Sequence, residues 1–322
     1  MGELKKVLVT ATNYSRLCAE AKRLLEEGGC EVIENKVGRP HTFEELAPLV
    51  TDIDGVVAGV DTWDEAVFQL APKLKAIARF GVGVDNIDLA KAREYGVRVT
   101  NVPGGNANAV AELTVGMLLA LIRSIPALHQ SARRGYWDRH VGGELAGKTV
   151  ALLGFGNIAQ MVAKKLSGFD VEIIAYDKYP NAAKAAELGV ELVSAGEALA
   201  RGDIVSMHLP SLPETRHMMN DGRFAAMKRG AYFINTARGA LVDEAALYRA
   251  LKSGTIAGAA IDVYETEPVS ADNPLFQLDN IITTPHTAAE TEETYRRVGL
   301  VTAQALLDVF AGKQPDNPVA AG

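Results

Sequence analysis

Short apolar runs rich in valine and isoleucine alternate with stretches of helical periodicity along nearly the whole chain. This alternation predicts parallel sheets wrapped by helices. Up to residue 101 the strand candidates are "KKVLVTA", "EVIEN", "GVVAG", "LKAIAR" and "VRVTN", with helical stretches such as 15–27 and 87–95 between them. A long apolar helix over "NANAVAELTVGMLLALIRSI" follows, then an irregular polar piece, "ARRGYWDRHVGGELAGKT". From Thr149 the alternation restarts with "TVALLG", "VEIIAYD", "VELV", "DIVSMHL", "AYFINTA", "AGAAIDVY" and "NIITTP", enough for a second complete sheet. A final helix over 288–310 precedes "AGKQPDNPVAAG", too polar and proline-rich for a core element.

The expected fold class is therefore α/β, with two doubly wound parallel-sheet domains. The chain passes between them near Asn101–Pro103 and again near Pro285. If the last helix packs back on the first sheet, one domain comprises 1–101 plus 288–322, and 102–287 is inserted into it. A double crossing suits a hinged cleft, a natural ligand site. The length of 322 residues agrees with two cores, since single cores stop growing at about 250–300 residues.

Composition narrows the partners. Hydrophobic residues make up 48% and charged residues 23%, with a net charge of −7 and no long basic run. Nucleic acid and anionic membrane are disfavoured as main partners. The two cysteines, Cys18 and Cys30, lack metal-ligand spacing; they read as reduced thiols of a cytoplasmic protein without a metal site. "MGELKKVLVT" has too short an apolar stretch for a signal peptide. "ELTVGMLLALIRS" falls well short of the roughly 20 apolar residues of a membrane span and reads as a buried helix.

Two Gly-x-Gly turns follow strands, and they differ in context. In "TVALLGFGNIAQMVAKKL", Gly154 allows a tight turn, Gly156 lets backbone amides approach a pyrophosphate, and the helix beyond offers free N–H groups. Ala159 stands at the third small position, and Asp177 ends the next strand, 23 residues after Gly154. That carboxylate would accept from ribose hydroxyls and repel a 2′-phosphate, so NAD is expected over NADP, with Lys178 next door softening the preference. "RFGVGVDNID" has Asn86 at the third position, and its following strand ends in Asn101 rather than an acid. Its bare amides would suit a substrate carboxylate instead.

A nicotinamide enzyme must hold its substrate and move one proton. For a 2-hydroxy or 2-keto acid this calls for an arginine on the carboxylate and a histidine oriented by an acid. Arg238 after "AYFINTA", Glu267 after "IDVYET" and His286 after "NIITTP" lie just past strand ends of the second domain, where open α/β sheets bind ligands. Each has a plainer reading: Arg238 as a partner of Asp243 or Glu244, Glu267 as a loop acid, His286 as a backbone-satisfied ring. His208, at the end of "DIVSMHL", competes with His286, and spacing does not choose between them.

Six separated segments then carry a family resemblance: "RFGVGVDNID", "NVPGGNANAVAELTVGMLLAL", "GKTVALLGFGNIAQ", "INTARGALVDEAAL", "GAAIDVYETEP" and "TTPHTAAET". From about residue 50 to 318 the chain resembles the D-2-hydroxyacid dehydrogenases, most of all their phosphoglycerate dehydrogenase-like branch. The resemblance implies a Rossmann NAD domain inserted into a flavodoxin-like substrate domain. It implies Arg238 on the substrate carboxylate and carbonyl, His286 as acid/base and Glu267 as its partner. Gly154, Gly156, Asn157, Ile158, Asp177, His208, Leu209, Pro210, Thr215, Thr236, Ala237, Asp262 and His286 match cofactor-lining positions, Asp262 facing the nicotinamide carboxamide. Val82 and Gly83 match the substrate loop, with Arg79 beside them. The helix over 108–125 and the "GYWDRH" loop match a homodimer interface spanning 103–145, with Trp137 a candidate to reach the neighbouring subunit.

Departures from the family pattern refine this expectation. Asn157 replaces a usual arginine or lysine, and Gly59 stands where phosphoglycerate-specific members carry a basic residue. A phosphorylated substrate is thereby put in question, with Arg79 the remaining phosphate candidate against a surface ion-pair role. Glu267 argues against formate dehydrogenase, which carries an amide there. No regulatory domain follows Gly322, so serine feedback is not expected. The expected substrate is 3-phosphoglycerate or a small acid such as glyoxylate, hydroxypyruvate or lactate. The alternative from another class is an NAD-sensing corepressor-like binding protein, since such proteins keep the same three residues.

Overall fold

The strands form where the apolar runs predicted them. In the computed structural model, which describes residues 4–319, β1 (Lys5–Val9), β2 (Cys30–Glu34), β3 (Gly55–Ala58), β4 (Ala76–Arg79) and β5 (Arg98–Thr100) make a sheet of order β2-β1-β3-β4-β5. A second sheet has the order β12-β11-β10-β9-β6-β7-β8. Its members are β6 (Thr149–Leu153), β7 (Glu172–Tyr176), β8 (Glu191–Leu192), β9 (Ile204–Met207), β10 (Ala231–Asn235), β11 (Ile256–Ile261) and β12 (Ile281–Thr283). All pairings within both sheets are parallel. The ends of "MGELKKVLVT" and "AGKQPDNPVAAG", at 1–3 and 320–322, lie outside the described residues.

The two sheets belong to two units, Met1–Asn106 with Glu290–Gly322, and Ala107–Ala289. In the first, Val7, Val9, Val57 and Ala78 pack with Tyr14, Leu25, Tyr295 and Leu306, so the helix Glu292–Phe310 lies on this sheet. Leu8, Val56, Ala58 and Ile77 form the other core face with Trp63 and Phe68. The edge strand β5 is covered by the chain's last described residues: Val319 N–H donates to Val99 O (2.8 Å) and Asn101 N–H to Asn317 O (3.4 Å).

The second unit shows why unbroken apolar runs are strands here. Every residue of β6 is buried, because helices cover both faces of a parallel sheet. Ala151 and Leu153 join one core with Val205, Met207 and Phe233. Val150 and Leu152 join the other with Ile204, Ile234 and the helices Ala107–Ile122 and Asn157–Leu166. Cutting Leu152 to alanine would cost about 2–5 kcal/mol on the scale of such core truncations.

Three helices depart from expectation. The long helix stops at Ile122, and a second runs over Ile125–Arg133, bent from it by 63°. Pro126 is the cause: inside a continuous helix its ring would meet the carbonyl of Ile122, whereas at the start of a new helix it is tolerated. The stretch at 15–27 divides at Cys18, whose Sγ–H donates to Tyr295 O (3.3 Å). The last helix starts at Glu292 rather than 288, N-capped by Thr291, which accepts from Thr294 N–H (3.2 Å). No single described helix is long and apolar enough to cross a membrane. Among the described residues no group of three or more His, Cys, Asp or Glu could hold a metal ion.

Candidate active site

Strand order reverses at β6/β9 in the second sheet, and the carboxyl ends there form a natural crevice. Gly154 leaves β6 with φ +101°, and a Cβ there would sit 2.6 Å from the carbonyl carbon of His208 at the end of β9. Only glycine fits the turn. Gly156 then N-caps the helix Asn157–Leu166 with no atom within 4 Å of the place a Cβ would take. Asn157 is exposed, Ile158 half-buried and Ala159 fully buried against the sheet. Asp177 braces this loop, its Oδ2 accepting from Phe155 N–H (2.7 Å) and its Oδ1 from Tyr179 N–H (2.8 Å). An open glycine loop on a helix N-terminus with an acid beside it fits a dinucleotide.

The next loops follow β9 and β10. His208 Nε2 lies 2.9 Å from Ser206 Oγ, and desolvation pushes its imidazole down to about 4, so it is neutral at pH 7. Leu209 is nearly buried and Pro210 exposed. Thr215 Oγ1 donates to Pro210 O (2.7 Å) and accepts from Leu212 N–H (2.8 Å), closing a tight turn. Thr236 is buried, with its hydroxyl 2.8 Å from that of Thr114. Ala237 N–H donates to Asn235 Oδ1 (3.0 Å), Asn235 Nδ2 donates to Arg238 O (3.0 Å), and Arg238 Nη1 donates to Ala237 O (2.8 Å). Asn235 thus fixes the backbone that carries Arg238. Next in line, a Cβ on Gly239 would fall 1.9 Å from the carbonyl of Tyr264, so the loops after β10 and β11 meet backbone to backbone.

Beyond β11 and β12 lies a histidine–carboxylate pair. His286 Nδ1 is 2.6 Å from Glu267 Oε2, and Tyr264 N–H donates to Glu267 Oε1 (3.0 Å). Burial pushes the Glu267 carboxyl up, but the hydrogen bond and charge of His286, the Tyr264 amide and the Arg238 charge outweigh it and hold it below the ordinary carboxylate value. His286 has φ +52°, a conformation side-chain-bearing residues rarely adopt. It is fastened there by His286 N–H to Asp262 O (2.7 Å). Asp262, wholly buried, adds further ties: Oδ1 accepts from Thr284 Oγ1 (2.5 Å) and Thr287 N–H (2.9 Å), and Oδ2 from Ala288 N–H (2.9 Å). With Nδ1 on Glu267, Nε2 of His286 is the nitrogen left to exchange a proton.

Geometry separates the two histidines that spacing left level: His286 has a carboxylate partner, and His208 has a hydroxyl and a desolvated ring. The first unit keeps its own glycine turn. Gly81 has φ +147° and accepts from Val102 N–H (2.9 Å); Val82, exposed, accepts from Asn101 Nδ2 (2.7 Å); Gly83 follows in the same turn. The Arg79 guanidinium donates to Phe80 O. Sequence reasoning missed the anchoring of Asp262 by Thr284, Thr287 and Ala288, and the pairing of His217 with Glu265. Threonines flanking "PHT" were a faint signal for the first; nothing in spacing pointed to the second.

Known proteins resemble this chain in sequence and in fold. Residues 115–288 match the family described as D-isomer specific 2-hydroxyacid dehydrogenase, NAD binding domain. A D-3-phosphoglycerate dehydrogenase from Methanocaldococcus jannaschii is 43% identical over 318 residues, covering 98% of this chain; the chain spans 59% of that relative's length. A glyoxylate reductase from Thermofilum pendens is 40% identical over 308 residues, 91% of this chain and 88% of that protein. A crystal structure of a Thermus thermophilus protein, 39% identical, superposes with a TM-score of 0.89 over 98% of this chain and 100% of the other.

Proposed function

The chain belongs to the D-isomer specific 2-hydroxyacid dehydrogenase family, and from that premise we propose that it is an NAD-dependent oxidoreductase acting on a small 2-hydroxy or 2-keto acid. The observation that carries the reading is the His286–Glu267 pair (2.6 Å), fixed beside the loop of Arg238. When bound, the nicotinamide cofactor supplies or accepts the hydride.

The protein's own groups do the rest. Arg238 grips the carboxylate through its planar fork. In reduction, Nε2 of His286 gives its proton to the C2 oxygen, while Glu267 steadies the imidazolium; oxidation runs the same path backwards. Asp262 holds the His286 loop and keeps lone-pair capacity for the nicotinamide carboxamide. Gly154, Gly156, Asn157 and Ile158 would cradle the pyrophosphate, Asp177 the ribose, and His208, Leu209, Pro210, Thr215, Thr236 and Ala237 would line the rest. Val82, Gly83 and Arg79 of the first unit are the proposed substrate contacts.

The named relatives support two substrates, 3-phosphoglycerate and glyoxylate, with hydroxypyruvate and D-lactate as further candidates. Against a phosphate stands Gly59, where a Cβ would meet Ala11 Cα, Thr10 O and Asp61 Oδ2 at 3.2 Å, leaving little room for a basic side chain. NADH oxidation by a panel of 2-keto acids, with hydroxypyruvate and its 3-phosphate side by side, tests the reading. Turnover supports it; tight NADH binding without any turnover would point to an NAD sensor. We further propose a cytoplasmic homodimer joined through 103–145, without nucleic-acid or membrane partners. Exposed Ile125, Tyr136, Trp137 and Val141 support that interface.

A further inference from the structure

Three loops follow consecutive neighbours of the second sheet, β9, β10 and β11, and one residue bonds to both of the other two. His217 N–H donates to Ala240 O (2.9 Å), Met219 N–H to Leu241 O (2.9 Å) and Asp243 N–H to Met219 O (2.9 Å), stitching the β9 loop to the chain just past Arg238. The imidazole Nε2 of the same His217 pairs with Oε1 of Glu265, two residues before Glu267. Glu265 is held in turn: its N–H donates to Glu244 Oε1 (2.7 Å), whose Oε2 accepts from Asn273 Nδ2 (2.8 Å).

We propose that the His217–Glu265 pair is a positioning latch that sets the spacing of the Arg238 loop against the Glu267 loop. It rests on the reading above that Arg238 and Glu267 serve the 2-keto acid. Its energetics point to geometry rather than stability. Both side chains are about a third exposed, 38% and 30%, and such pairs stabilise little. His217 meanwhile holds φ +48°, a cost for a residue with a Cβ. Stiff spacing, by contrast, matters to chemistry, since a shift of about 1 Å between reacting groups slows an enzyme by about a hundredfold. The Gly239–Tyr264 approach joins the β10 and β11 loops directly, and the latch ties both of them to the β9 loop.

The test uses the intact protein and four variants. His217→Asn tolerates the left-handed backbone but is too short to reach Glu265. Glu265→Ala removes the oxygen that His217 Nε2 meets. Each is expected to lower kcat/KM for the preferred 2-keto acid by about tenfold, with NADH affinity and Tm at wild-type values. The double variant should be no worse than either single, as for two ends of one contact. His217→Gln, whose amide nitrogen reaches where Nε2 stood, should recover most of the activity. Variants equal to wild type, losses that multiply in the double, losses that track a fall in Tm, or no recovery in His217→Gln would each overturn the latch while wild-type turnover leaves the enzyme reading standing. A wild type that turns over no 2-keto acid overturns the enzyme reading itself, and the latch with it.

Discussion

Nδ1 of His286 and Oε2 of Glu267 lie 2.6 Å apart, although they leave the sheet from different strands, and His286 holds φ +52° in making the contact. The cost of that backbone is met by the ties from Asp262. Glu267→Gln should therefore keep the hydrogen bond and lose the charge. We expect kcat/KM for 2-keto acid reduction to fall by roughly 10²-fold, the scale of general acid–base assistance. NADH affinity should hold. A variant with wild-type kcat/KM would rule out the pair as proton donor.

The same carboxylate sets an acid limit. Its pKa lies below the ordinary carboxyl value, so its contribution is complete above that value and lost as pH falls through the lower folded one. In the direction of 2-keto acid reduction, which uses the protonated His286, activity should persist below pH 4.5 until the fold itself fails, and a decline already centred above 4.5 would contradict the assignment.

Arg238→Lys retains a cation without the two-pronged geometry. KM for the keto acid should rise by about tenfold or more, equivalent to about 1.4 kcal/mol, with a smaller change in kcat. Steady-state kinetics at saturating NADH would show it.

Asp177 joins cofactor choice to loop order, since both of its oxygens already accept backbone amides. Asp177→Asn removes the charge that repels a 2′-phosphate. The ratio of kcat/KM for NADPH over NADH should climb by about tenfold, with NADH itself bound more weakly as the glycine loop loosens. An unchanged ratio would detach Asp177 from the ribose.

His208 predicts a slope in stability. Its folded pKa, about 4, lies below the ordinary 6.5, so the unfolded chain takes up the proton first as pH falls. Stability is full above about 6.5 and declines towards about 4, by about 3 kcal/mol. Urea unfolding between pH 7 and 4.5 should show a flatter decline for His208→Gln than for wild type.

Much of this was legible beforehand, for identifiable reasons. Strands buried on both faces leave unbroken apolar runs, so "TVALL" and "DIVSM" announced themselves. Gly154 and Asp177 were readable because a single loop and the next strand make their unit. The stop of the long helix at Ile122 was not foreseen, because the apolar pattern continues past it to Ile125. Spacing left His286 and His208 level and the family resemblance favoured His286; the approach of Glu267, a contact made across two strand ends, is what the structure adds. His217 and Glu265, 48 residues apart, share no periodicity; their meeting depends on β9, β10 and β11 lying side by side.

Val319 on Val99, finally, has a practical side. A parallel sheet stripped of residues 317–319 would bare the hydrogen-bonding rim of β5 to any neighbouring chain, and naked rims of this kind recruit copies of themselves. Any shortened version made for crystallisation should therefore keep residues 317–319 seated on β5.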